Sequence, residues 1–167
     1  MIGRKQKKFR LLVICGGPSM ERGISLNSCR SVVDHLSDPG IDIQAIYVDV
    51  QKRHYLISTS SLYSNTPSDF DFKLTRHTKK LTQRELASQF KKADLVFPII
   101  HGAYGEDGQL QQLLERKKAA FIGSSSLACK TAFNKFKANE LIRENGFPAL
   151  PSGLLKSHLP KFKNLET

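Results

Sequence analysis

No apolar stretch in this chain approaches the roughly 20 residues that a membrane-crossing helix needs, and its first residues carry no apolar core of the signal-peptide kind. A cytoplasmic protein with no membrane partner is expected. Cysteine is scarce: Cys15, Cys29 and Cys129 are odd in number and far apart, which excludes the paired spacing of a zinc site or a disulfide framework. No metal ligands are therefore assigned, and Cys15, closing an apolar run, is read as a small reduced core residue. Internal repeats and low-complexity tracts are absent. Acidic residues are the other scarce class, with 15 Asp and Glu against 26 Lys and Arg and a formal net charge of +11. Such a balance invites a nucleic-acid reading. Yet Arg4, Lys5, Lys7, Lys8 and Arg10 put five of the cations in the first ten residues, and the others are dispersed. No helix-turn-helix, zinc-knuckle or RNA-binding signature accompanies them. Residues 1–8 are read as a solvated basic arm, and no nucleic-acid partner is expected.

What is present suffices for one domain: 167 residues, 40% of them hydrophobic, can bury a sizeable core. Phe9 to Cys15 is an apolar run with β-branched residues, the pattern of a parallel strand buried on both faces. It breaks at the stretch 16–23, and a helical pattern starts near Ser25 with Ile24, Val32, Val33 and Leu36 as buried positions. The turn Asp38-Pro39-Gly40 introduces a second strand over 41–48, and 55–58 forms a short edge strand. Residues 58–80, polar, with Pro67 and no helical period, read as a long surface excursion. Thr82 caps a helix to Lys92, with Glu85 as its capping-box partner. A strand over 95–100, a helix over 108–118 and a short strand over 119–122 follow. A loop from Gly123 then opens a further helix, and a last helix over 134–144 stops at Asn145-Gly146. Strands separated by helices imply parallel crossovers. The expected fold is α/β, a doubly wound, mostly parallel four-stranded sheet with helices on both faces, its main strands at 9–15, 41–48, 95–100 and 119–122.

Two strand-to-helix loops stand out. After the strand ending at Ile100 come His101, Gly102, Gly105, Glu106, Asp107 and Gly108. Three glycines let a backbone approach a ligand closely and adopt positive φ, and the carboxyl ends of strands are where open α/β sheets bind ligands. The loop Gly16-Gly-Pro-Ser-Met-Glu-Arg-Gly23 faces the same sheet edge.

The stretch from Cys15 to Ser28, the stretch from Val96 to Glu115 and the sequence Phe121-Ile-Gly-Ser-Ser together resemble the N-terminal, Rossmann-like pre-ATP-grasp domain of the D-alanine:D-alanine ligase family. The resemblance runs over about residues 9–155, with 156–167 as the start of, or linker to, an ATP-grasp domain that this chain does not include. It implies an enzyme that joins two D-alanine molecules for peptidoglycan synthesis with ATP and Mg2+, whose ligands lie mostly in that further domain. This chain alone is then expected to lack activity, to bind neither cofactor tightly, and to form a homodimer. The other reading kept open is a non-catalytic small-molecule or nucleotide-binding α/β domain.

On this resemblance Glu21 matches the loop glutamate that pairs with the ammonium of the first D-alanine; read from the residues alone, a site acid and an acid favouring a helix dipole stand level. His101 matches the family histidine beside that substrate, and Glu21 and His101 are the assigned catalytic pair. Gly102 belongs to the same binding loop. Ile24 either lines the methyl pocket or packs on the core, and Ser25 either contributes to the site or, as preferred, caps its helix. Gly123 and Ser124 resemble the family's cleft-shaping loop. Lys135 stands in Phe133-Asn134-Lys135 where the family has Met-Asp-Lys, and is assigned to the nucleotide phosphates. Glu106 and Asp107 could be a general acid–base pair but are read as support for a helix start. Gly23, where relatives carry an acid, is expected to loosen the Glu21 loop, and Gln112, where a glycine is common, to push its helix outward.

Overall fold

The computed structural model describes residues 7–155. Most of the basic arm and all of 156–167 lie outside the described residues. Strand β1 spans Phe9–Gly16, β2 Ile41–Val48, β3 His54–Ile57 and β4 Leu95–Pro98; helices α1 Arg22–His35, α2 Ser61–Ser64, α3 Pro67–His77, α4 Gln83–Lys92, α5 Gln109–Arg116, α6 Ser126–Phe133 and α7 Lys135–Glu144 complete the order. The sheet runs β3-β2-β1-β4, with β1 parallel to β2 and β4 and β3 antiparallel to β2.

Alternation along β1 sends Leu11, Val13 and Cys15 to one face, against Leu26 and Cys29 of α1 and Phe70 and Leu74 of α3. Leu12 and Ile14 point to the other, against Leu86 and Phe90 of α4 and Leu110 and Leu114 of α5. Helices thus cover both faces, which is why this strand reads as a continuous apolar run. Cys15 is a buried free thiol, as read. The Cys29 thiol beside it and its complete burial push it well above the usual range, so it is inert. The Thr82–Glu85 capping box is present in both directions, at 3.2 and 2.7 Å.

Three expectations are corrected. The fourth strand is β3, not 119–122, which makes only one parallel bridge, Val96 to Phe121. Asp49 is the reason: its carboxylate accepts from the Gln51 and Arg53 N–H groups at 2.9 and 2.8 Å and from Arg53 Nε at 2.6 Å, folding the chain back on β2 as a hairpin. The stretch 58–80 is no surface excursion but carries α2 and α3. Thr66 and Asp69 form a second capping box with Pro67 in the first turn, where proline's missing N–H is harmless. Phe70, one turn before Leu74, stacks on Tyr47 with ring centroids 4.4 Å apart. Finally, α1 starts at Arg22 rather than near Ser25. Its buried positions are Ser25, Leu26 and Cys29, while Val32 and Val33 are half-buried, Leu36 is exposed and Ile24 is 55% exposed.

Candidate functional site

Because β1 and β4 run parallel, their two glycine loops leave the sheet at one edge. Ser25 ties them together. Its hydroxyl accepts from Gly16 N at 2.9 Å and donates to Ile99 O at 2.6 Å, fully buried. Ser25 is therefore not a helix cap: Glu21 holds the N-cap position and makes no side-chain cap bond. Gly16 has φ 90°, and an added Cβ would collide with the Val48 carbonyl and the Tyr47 ring, so glycine is required where this loop crosses the end of β2.

The loops also touch at their tips. Gly102 has φ 70°, and a Cβ there would lie 2.6 Å from both Glu21 Oε2 and Ser19 Oγ. The Glu21 carboxylate therefore rests against the backbone next to His101. Ser19 steadies it, accepting from Glu21 N at 3.1 Å and donating to Glu21 Oε2 at 3.4 Å.

The half-buried His101 ring is held from two sides. Its Nε2 lies 3.2 Å from Ser28 Oγ and its Nδ1 lies 3.6 Å from Glu106 Oε1. A hydroxyl at hydrogen-bond distance from Nε2 and a carboxylate at ion-pair distance from Nδ1 flank the ring on opposite edges. Glu106 is thus a partner of His101 rather than a helix support. Asp107 does serve the helix start, accepting from Tyr104 N at 2.9 Å and Gln109 N at 3.0 Å. Burial opposes its charge, yet these N–H groups hold its carboxyl below the usual range.

His101 opens on a cleft of about 540 Å3 lined also by Ser28, Glu106, Gln111, Gly123 and Ser124. Glu21 lies against Gly102 and does not line the cleft. Ile24 and Lys135 do not line it either; Lys135 is exposed at the start of α7. Gly23 lies inside α1, not in the loop, and Gln112 is on the exposed side of α5. Ser28 and Gln111 were missed by the sequence reading. Ser28 sits two helical turns beyond Glu21, a relation legible only once α1 is known to start at Arg22. Gln111 donates from Nε2 to Gly105 O at 2.6 Å, pinning the glycine loop from α5.

Behind the loop, buried His54 places Nε2 2.9 Å from the Tyr104 hydroxyl. Burial brings His54 down from 6.5 to about 4, against the raising effect of Asp49. Between these values the unfolded chain binds the extra proton. This contribution to stability is complete above about pH 6.5 and is lost as the pH falls toward 4. Urea unfolding at about pH 7 and about pH 4.5 should show that loss, and His54→Gln should reduce it; an equal loss in both proteins would place the acid sensitivity elsewhere.

Residues 10–124 match the family model described as D-ala D-ala ligase N-terminus. The chain belongs to this family. It is 27% identical over 156 residues to D-alanine--D-alanine ligase A of Escherichia coli K12, covering 87% of this chain and 43% of that protein. With the bifunctional enzyme MurC/Ddl of Chlamydia trachomatis it shares 32% identity over 145 residues, covering 87% of this chain and 17% of that one. Among solved structures, the D-alanine-D-alanine ligase of Coxiella burnetii superposes with a TM-score of 0.72 at 29% identity, over 84% of this chain and 43% of that one. The VanG D-Ala:D-Ser ligase of Enterococcus faecalis gives 0.69 at 25% identity, again over 84% and 43%. The chain thus spans less than half the length of these relatives. Among the described residues no helix is long and apolar enough to cross a membrane, and no group of three or more His, Cys, Asp or Glu could hold a metal ion.

Proposed function

We propose that this chain is the amino-acid-binding part of an ATP-dependent D-alanine:D-alanine ligase, its domain running over about residues 9–155. The observation that supports this is the meeting of the two glycine loops at Gly102, which sets the Glu21 carboxylate beside the residue that follows His101. A free amino acid offers an ammonium and a carboxylate. Glu21 supplies the fixed acid for the first, and the His101 imidazole, held by Ser28 and Glu106, stands one residue away for the second. Their role is orientation, which turns an encounter into a placed reactant. Gly123 and Ser124 shape the wall of the adjoining cleft.

What supports placing most ATP and Mg2+ contacts outside the described residues is that Lys135, the cation assigned to the phosphates, is exposed and does not line the cleft. On this reading the nucleotide is held chiefly by the family's ATP-grasp domain. Pairing of two copies through this domain is part of the same reading.

Isothermal calorimetry with D-alanine, L-alanine, ATP and an oligonucleotide tests it. D-Alanine alone should bind, Glu21→Gln should abolish the signal, and Mg-ATP with D-alanine should release no phosphate at an enzymatic rate. Binding of ATP without D-alanine would favour the non-catalytic nucleotide-binding domain, and binding of the oligonucleotide alone would sink both.

A further inference from the structure

Three described non-glycine residues adopt left-handed backbone: Lys52 at φ 60°, Tyr104 at φ 76° and Lys118 at φ 52°. Two of them meet. The Lys52 ammonium sits 5.6 Å from the centroid of the Tyr104 ring, although Lys52 belongs to the β2–β3 hairpin and Tyr104 to the loop between His101 and Glu106. A bulky side chain persists in that conformation only where its surroundings impose it, and such outliers gather at functional loops.

The surroundings here are specific. Tyr104 is 6% exposed and His54 7%, and their hydroxyl and Nε2 are 2.9 Å apart. Lys52 also donates to Gln109 Oε1 at 2.7 Å, at the first residue of α5. On the hairpin side the Asp49 carboxylate fixes the turn, accepting from the Gln51 and Arg53 N–H groups and from Arg53 Nε. On the loop side Tyr104 N donates to Asp107. The loop carrying the His101–Glu106 pair is therefore braced from behind by an element that takes no part in the cleft.

We propose that His54 and Tyr104 are positioning residues: the hydrogen bond between them, with Lys52 over the ring, holds the 101–108 loop in the conformation that pairs His101 with Glu106. This rests on the reading of His101 as a site residue. Burial lowers His54 to about 4 and raises Tyr104 to about 12, so both are uncharged at neutral pH and the brace is a neutral hydrogen bond. Loss of either partner leaves the other buried and unpaired. The strained Tyr104 backbone then has less to hold it, and the loop relaxes. The residues between His101 and Glu106 move with it.

The test uses the whole chain with ring-labelled histidine, observed by nuclear magnetic resonance at neutral pH, in Tyr104→Phe, His54→Phe and His54→Gln. In the first two, the His101 ring-nitrogen signals should leave their wild-type positions, and the 103–106 amides should exchange about tenfold faster than those of β1. His54→Gln keeps a polar group for the Tyr104 hydroxyl and should restore most of both signals. Tyr104→Phe deletes one oxygen and decides the matter even should His54→Phe fail to fold. Unchanged His101 signals in Tyr104→Phe, or faster exchange spread evenly through the sheet, would overturn the proposal and leave a purely structural bond. Adding D-alanine separates the two readings: an unresponsive wild-type His101 counts against the substrate assignment, while the variants still judge the brace.

Discussion

Ser25→Ala should lower the unfolding free energy by about 2–6 kcal/mol, because one oxygen serves two buried backbone groups, each costing about 1–3 kcal/mol when left without a partner. Gly16 N and Ile99 O both lose their bond to it. The side chain is wholly enclosed, and alanine leaves a space too small to replace a hydroxyl with correctly placed water. The effect should appear as a lower urea midpoint with an unchanged slope, since the folded and unfolded states differ as before in exposed surface. Ser25→Cys, which keeps a weak donor and acceptor, should fall between the two. A loss below about 0.5 kcal/mol, the scale of a neutral surface change, would mean that Ser25 does not hold the loops together.

In a ligase completed with the second half of a relative, Glu21→Gln should cut kcat/KM for D-alanine by roughly ten- to a few-hundredfold. A charge-assisted bond to a substrate ammonium is worth about 1.5–3 kcal/mol, and glutamine keeps the shape while removing the charge. Asp107→Asn, two residues from the start of α5, should leave kcat/KM within about twofold and lower stability by about 1 kcal/mol, the usual value of a capping side chain. The contrast follows from the contacts. Asp107 is occupied by Tyr104 N, Gln109 N and Gln109 Nε2, whereas the Glu21 carboxylate, among the described residues, accepts from Ser19 and lies against Gly102. Equal kinetic losses in the two variants would put the second carboxylate of the 106–107 pair into the chemistry and remove the distinction drawn between the loops.

Local chemistry was enough for a large part of this protein. Strands buried on both faces read as apolar runs, so β1, β2 and β4 were legible, and Thr82 with Glu85 announced α4 because a capping box is a contact between residues three apart. The glycine loops after β1 and β4 were visible for the same reason, and with them Glu21 and His101. The failures mark where the local signal was too small. In α3 the capping pair Thr66–Asp69 was present, but only two apolar residues, Phe70 and Leu74, face the core, and the polar remainder masked the period. Residues 119–122 had strand character yet met no partner strand over more than one residue, while the Asp49 turn made β3 the fourth strand. At the site, the bonds that matter join residues far apart in the chain: 73 positions separate Ser28 from His101, 74 separate Ser25 from Ile99 and 50 separate His54 from Tyr104. Such pairings depend on the register of β1 against β4, on the start of α1 at Arg22 and on the return of the hairpin, and a one-residue change in any of these would turn the side chains elsewhere. Residue type and spacing therefore sufficed for the family, the three parallel strands and the two loops, but only the packed chain, by bringing distant backbone into contact, selected the fourth strand and the neighbours of His101.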